Sequence, residues 1–336
     1  VVGGVGGVLA FLPNVVLLWG AIAVLENSGN MMRFSRMMSR IKKIMGRNGG
    51  GFAPFLLGFG CSVPAILSTR RIETRSDRLV TIAVLPMMSC AGRLPIYMMF
   101  VSALFPSRLQ APVLFGIYAS GVLLALCCAR LLKNTLFKAP QRDSLHHMKR
   151  LRLPSLRKVG ILMWSRAFMY VRKAGTFILG ASIILWFLNT YPRPEEDTAP
   201  TNAAAMEHSY AGQIGHWMEP VTQVAGFDWK INSALVGAFA AKEIFVTQMG
   251  ILYAVEDGNS APAAQQTLNA RLKASYTPLQ GISIMIFCLI ALPCIGTVTV
   301  AKREAGTWWF ALAQFGGLTL LGFATATLIY QAGLLL

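Results

Sequence analysis

A series of apolar runs long enough to cross a bilayer constrains this chain more than anything else in it. About 30 Å of hydrocarbon needs roughly 20 residues of α-helix. Runs of that order occupy Val5 to Leu25, Leu79 to Phe105, Ala111 to Leu132, Ala174 to Thr190, Gly281 to Ala301 and Thr307 to Tyr330, and six spans are predicted from them. Two shorter stretches, Phe52 to Ser68 and Ile231 to Tyr253, are punctuated by Pro or Gly and lie between charged flanks, so they are expected to be re-entrant or broken. Composition agrees with a membrane setting: 54% of the residues are hydrophobic and 13% charged, too little polar surface to cover a soluble domain of 336 residues.

The net charge of +17 is placed where a membrane protein would place it, and nucleic acid is excluded as a partner on that ground. Basic clusters at Arg33 to Arg47, Arg70 to Arg78, Arg130 to Lys158, Arg166 to Lys173 and Lys302 to Arg303 flank the spans. Glu195, Glu196, Asp197, Glu207, Glu219 and Asp228 share one loop, and Glu256 with Asp257 begins another. The positive-inside rule makes the first set cytoplasmic. With Val1 outside, six crossings put every basic cluster inside and both acidic loops outside, provided the two short stretches return to the face they entered from. Residues 31–47 form a basic amphipathic segment suited to the anionic leaflet, with membrane lipid as partner. His146 and His147 fall in the basic linker, where adjacent side chains diverge and read as solvated loop residues. The first run is too long for a cleavable signal and lacks a basic preceding region, and Val1 is no initiator Met, so the chain is expected to begin inside a longer reading frame or to have lost its first residues.

Six cysteines lie in apolar stretches. Cys127, Cys128 and Cys288 read as small hydrophobic residues of lipid-facing helices. The other three stand beside prolines. In GFGCSVPAILSTRR, Gly58, Gly60 and Pro64 surround Cys61 and should interrupt a helix, leaving carbonyls free beside the thiol. In LPMMSCAGRLP, two prolines bracket Ser89, Cys90 and Arg93, and an arginine at that depth should face the bundle interior as counter-ion or carbonyl clamp. In ALPCIGTVTVAKRE, Pro293 precedes Cys294. LVGAFAAKEIFVTQ sets Lys242 beside Glu243 in a membrane segment, where each needs its own partner. Thiols beside helix breaks suit a borderline-soft cation such as Fe2+, Cu+ or Zn2+.

The two halves share an order of elements, which predicts an all-α, polytopic transmembrane protein with two gate-type inverted repeats and re-entrant or broken helices. The expected divisions are 1–132 for the first repeat, 133–158 for a basic cytosolic linker, and 159–336 for the second repeat with the C-terminal spans.

The segments ENSGNMMR, GFGCSVPAILSTRRIETRSDRL, LPMMSCAGRLPIYMMF, GAFAAKEIFV and LPCIGTVTVAKRE resemble, in order and separation, the membrane signatures of the FeoB ferrous iron transporters. The resemblance covers about Gly3 to Gly333. It implies Fe2+ as transported substrate, passed into the cytoplasm across the bacterial inner membrane. It implies a metal path using Cys61, Cys90 and Cys294 with Ser62 and Ser89. Glu26, Arg93, Lys242 and Glu243 would be gate or structural polar groups. Asn27 stands where the family has an acidic residue after Glu26, which weakens a metal-entry role for that pair. The family couples transport to GTP through an N-terminal domain, yet this sequence holds no G-x-x-x-x-G-K-[ST] loop. GTP would act through a missing domain or a separate GTPase chain, with a small cytosolic accessory protein as a further implied partner and a homo-oligomer left open.

Three rivals are weighed. One is a gate-type permease for another divalent metal or a nucleoside, and another is a membrane scaffold for a GTPase partner. An intramembrane thiol enzyme would need a His or carboxylate base beside its nucleophile, but all four histidines fall in predicted loops. No catalytic residue is assigned.

Overall fold

The computed structural model describes residues 52–72, 74–135, 183–192, 207–240, 242–253, 261–291 and 293–335, with a few isolated positions between 17 and 180. The expected span Val5 to Leu25, Glu26, the basic segment 31–47, most of the linker, the start of the Ala174 to Thr190 span and parts of both acidic loops lie outside the described residues. Among the described residues all regular structure is helical.

In chain order the helices are α1 (Phe52–Gly58), α2 (Ser62–Ser68), α3 (Arg75–Val84), α4 (Leu94–Leu104), α5 (Ser107–Thr135), α6 (Tyr210–Thr222), α7 (Trp229–Ala240), α8 (Lys242–Leu252), α9 (Ala261–Ser275), α10 (Pro278–Ile290), α11 (Ile295–Ala305) and α12 (Trp308–Leu335). Short 3-10 turns occupy Thr69–Arg71, Leu85–Met87, Ala91–Arg93 and Gln223–Ala225, and residues 183–190 are helical ahead of α6. Local chemistry sets several of the starts. Thr277 and Gln280 form a capping box ahead of α10, with Pro278 in the first turn, where its missing N–H costs nothing. Ser209 accepts from the Gly212 N–H at the start of α6.

Four stretches are long and apolar enough to cross a membrane: Arg75–Leu104, Ser107–Thr135, Pro278–Ala305 and Trp308–Leu335. They coincide with four of the six expected spans. Two are continuous helices, α5 and α12. The other two are broken midway, at residues 85–93 and at Ala291, Pro293 and Cys294. Burial follows continuity: 61% and 65% of the apolar windows of the broken pair are buried, against 17% in each continuous helix. Freed backbone groups cannot face hydrocarbon, so interrupted helices are enclosed by protein while regular ones meet lipid. Phe115 and Leu123 on α5 and Leu320 and Leu328 on α12 are accordingly exposed.

Both short stretches are hairpins of two helices. In the first, α1 and α2 are joined by the turn Phe59–Cys61, with the Gly60 and Cys61 N–H groups both donating to the Leu57 carbonyl at 3.0 and 3.1 Å. In the second, α7 ends at Ala240 and α8 begins at Lys242. Gln248 on α8 donates to Ser233 on α7 at 3.3 Å, a bond between residues 15 apart that only antiparallel helices allow. The order hairpin, broken span, continuous span occurs twice: residues 52–68, 75–104 and 107–135, then 229–252, 278–305 and 308–335.

The chain forms two compact units, each discontinuous in sequence. The first takes in Val1–Ala91, Val122–Gly180 and Gly296–Ala311. Its core gathers Leu57, Ala65 and Ile66 of the first hairpin with Ile82, Leu85 and Ala301, and Val300 and Phe310 pack against them. The second unit takes in Gly92–Gly121, Ala181–Ile295 and Leu312–Leu336. There Phe100 lies between Phe245 and Tyr276, and α6 approaches α7 so closely that a Cβ on Gly215 would stand 2.5 Å from the Trp229 carbonyl oxygen.

Candidate transport site

In the first unit the interruption around Cys61 arises from the turn itself. Cys61 has extended backbone (φ −154°, ψ 131°) and caps α2, and its carbonyl accepts from the Ala65 N–H at 3.3 Å. Pro64 lies in the first turn of α2, where its missing N–H has no intrahelical partner to lose, so it begins a helix and does not break one. Cys90 lies in the non-helical stretch between two 3-10 turns of the broken span. The Ala91 N–H donates to the Gly60 carbonyl at 3.2 Å, stitching the Cys90 stretch to the Cys61 turn. Ser62 and Ser89 are buried, and both thiols are half-buried. Four of the five residues expected on a metal path therefore flank a single backbone hydrogen bond.

In the second unit Cys294 is half-buried between Pro293 and the start of α11. The helix ahead of this break ends at Ala291, whose backbone is extended (φ −79°, ψ 171°). Arg93, only 1% exposed, donates through Nη2 to the Ala291 carbonyl at 3.4 Å. It thus caps the C-terminal end of α10, where a cation also meets the negative end of the helix dipole. Lys242 is buried at the first position of α8, and Glu243 is half-buried beside it. Glu243 lies over the backbone of Gly92, since a Cβ there would stand 3.0 Å from its Oε1. A side chain at position 92 would push Glu243 aside.

The six cysteines divide cleanly by backbone. Cys61, Cys90 and Cys294 occupy helix breaks, while Cys127, Cys128 and Cys288 lie inside regular helices. Cys127 is exposed on the lipid-facing α5, but Cys288 is buried within α10 and so is not a lipid-facing residue. None of the six is in a disulfide. Among the described residues, no three or more His, Cys, Asp or Glu side chains gather closely enough to hold a metal ion.

Sequence reasoning missed three polar groupings. Asn189 and Gln248 exchange two amide hydrogen bonds of 3.0 Å, and Gln248 also reaches Ser233, tying the second hairpin to residues 183–190. Asp228 starts α7, accepting from the Ile231 N–H at 2.9 Å and from the Tyr276 hydroxyl at 2.9 Å. Burial pushes both the Asp228 carboxyl and the Tyr276 hydroxyl above their ordinary ranges. Glu304 takes hydrogen bonds from Arg70 and Arg78. Polar residues recurring inside an apolar stretch, Ser233 and Gln248, were the available signal for the first grouping.

Paired hairpins and broken, buried spans define a polytopic membrane protein of the gate type. The Gate family, described as nucleoside recognition, matches residues 8–104 and 171–308, and the family described as ferrous iron transport protein B C terminus matches residues 114–166. A fusion protein of Porphyromonas gingivalis, named Fe(2+) transport protein A/Fe(2+) transporter FeoB, is 37% identical over 100% of this chain and 44% of its own length. The Fe(2+) transporter FeoB of Campylobacter jejuni is 37% identical over 94% of this chain and 51% of its own length, and that of Helicobacter pylori 33% identical over 99% and 56%. No solved structure matches the chain. The chain belongs to the FeoB family, aligning with the membrane region of those proteins, and it spans about half the length of the curated relatives it matches.

Proposed function

We propose that this chain forms the ion path of an Fe2+ transporter and passes Fe2+ into the cytoplasm of a bacterium across its inner membrane. The observation that carries the reading is the coincidence of thiol and helix break at Cys61, Cys90 and Cys294. A desolvated divalent cation needs oxygen or sulfur donors, and a helix break brings backbone carbonyls, each with two lone pairs, alongside the thiols. Sulfur adds preference for a borderline-soft ion over Mg2+ or Ca2+. Ser62 and Ser89 add hydroxyl oxygens. The sparse donor set suits cargo, since an ion held too tightly cannot leave.

Arg93 and the pair Lys242 and Glu243 act on the protein, the first by holding the end of α10 and the others by holding the start of α8. Residues 1–132 and 159–336 serve as two gate repeats about the linker 133–158. GTP acts only through a further domain or a separate chain, as part of a larger assembly that includes a small cytosolic protein.

The test is flux. The purified chain in sealed vesicles holding an Fe2+-sensitive dye is expected to admit Fe2+ faster than empty vesicles, in the presence of a GTPase chain if not alone. No excess entry under either condition would refute the reading. Inward direction rests on orientation, so a reporter fused after Lys149 should read cytosolic and one inserted near Asp197 external. The reversed pair of signals would mean that the first hairpin enters from the outer face.

A further inference from the structure

Arg70 follows α2 directly, in the 3-10 turn Thr69–Arg71, and Arg78 lies in α3. Both meet Glu304, at the end of α11. Arg70 Nε donates to the two carboxylate oxygens at 2.9 and 3.0 Å. Arg78 Nη2 donates to Oε2 at 2.8 Å and to the Glu304 backbone carbonyl at 2.7 Å. Asp77, next to Arg78 in sequence, is engaged by Lys133 at 2.9 Å and by the Thr74 hydroxyl, so it does not compete for Arg78.

The two arginines are not equivalent. The Arg70 side chain is 55% exposed, whereas that of Glu304 is 3% exposed. Arg70 also donates through Nη2 to Oε1 at 2.5 Å, but its guanidinium lies largely in solvent and can take water in place of Glu304, whereas the buried carboxylate must keep a partner. A buried carboxylate left alone would be costly, but Arg78 stays on it, anchored also to the backbone. Arg78 has a further donor in reserve: its Nε is buried without a hydrogen-bond partner among the described residues. Once Arg70 leaves, a small rotation of Glu304 can accept from both Nε and Nη2 of Arg78 as a bidentate fork. Each of the two arrangements satisfies the buried charge, which is the requirement for a two-state element.

We infer that Arg70, Arg78 and Glu304 form a releasable latch on the first hairpin, with Arg70 as the moving arm and Arg78 as the fixed one. The latch sits where charge patterning places the cytoplasm. Cys61 caps the opposite end of the seven-residue α2, about 10 Å along the helix. Release frees the cytosolic end of the hairpin to hinge on its apolar cluster, opening the way from Cys61 inward. The inference rests on the Fe2+ path proposed above, but its test does not use iron.

Inside-out vesicles are treated with a membrane-impermeant maleimide, and modification of Cys61 is followed by mass spectrometry of its peptide. Arg70→Gln is expected to raise the rate about threefold or more by populating the released state, with the amount of folded protein unchanged. Arg70→Lys, which keeps the charge but loses the fork, should fall between the variant and the parent. Arg78→Gln strips Glu304 of its fixed partner and should lower the yield of folded protein. Equal Cys61 rates in Arg70→Gln and the parent would overturn the latch. So would an Arg78→Gln protein that folds fully and labels as fast as Arg70→Gln, since the arms would then be interchangeable. Failure of Fe2+ flux would refute the transport reading and leave these rates as they are.

Discussion

Replacing Cys61, Cys90 and Cys294 together with serine is expected to lower Fe2+ uptake about tenfold or more, equivalent to losing about 1.4 kcal/mol of favourable interaction along the path. Membrane insertion should be unaffected. Serine keeps the approximate size and removes the soft donor, so the loss should be steeper for Fe2+ than for harder divalent ions. All three positions lie outside regular helix. The matching triple at Cys127, Cys128 and Cys288 is the control, because those thiols sit within regular helix and not at a break. Uptake in vesicles at matched protein density checks both. Full uptake in the first variant would exclude sulfur ligation, and an equal fall in the second would mean that serine acts through packing.

The second large effect is expected at Arg93. Changing it to leucine removes a buried donor from the Ala291 carbonyl at the break before Cys294 and should destabilise the protein by about 3 kcal/mol. In detergent this reads as a lower thermal midpoint, by about 5 °C or more. Uptake should be lost as well, since the end of α10 is no longer held. Arg93→Lys keeps the charge without the planar fork and should recover part of the midpoint. An unchanged midpoint for Arg93→Leu would show that the Ala291 carbonyl needs no such cap.

Much of this architecture was legible in the sequence because bilayers impose few solutions. Spans announce themselves by length, and the breaks at residues 85–93 and at Ala291, Pro293 and Cys294 lie where Pro86 and Pro293 interrupt apolar runs. The two hairpins were visible as stretches too short and too punctuated to cross. Pro64 misled the reading in detail: a proline beside a glycine-rich turn can start the next helix as readily as end the last one. Glu304 stayed hidden because its partner Arg70 is 234 residues away, and both Arg70 and Arg78 were accounted for by the positive-inside rule. A cytoplasmic arginine that orients a protein and one that grips a buried carboxylate look the same in one dimension. Asn189 and Gln248, 59 residues apart, were concealed by the same separation. Cys288 was misjudged because hydropathy marks a helix as membranous but does not say which of its faces meets lipid.

The continuous helices α5 and α12 have 29 and 28 residues. At 1.5 Å per residue each is about 42 to 44 Å long, well beyond a hydrocarbon layer of about 30 Å. Neither can stand upright with its whole length immersed. Each must lean or let its ends emerge among the headgroups, and the balance shifts with the thickness of the membrane. Because a two-residue connection, Phe105–Pro106, joins α4 of the first broken span to α5, and another, Gly306–Thr307, joins α11 of the second to α12, any change of lean is delivered directly to the interrupted helices. Acyl-chain length therefore becomes a mechanical variable for this protein, acting through its two exposed continuous helices on segments that are mostly buried in protein.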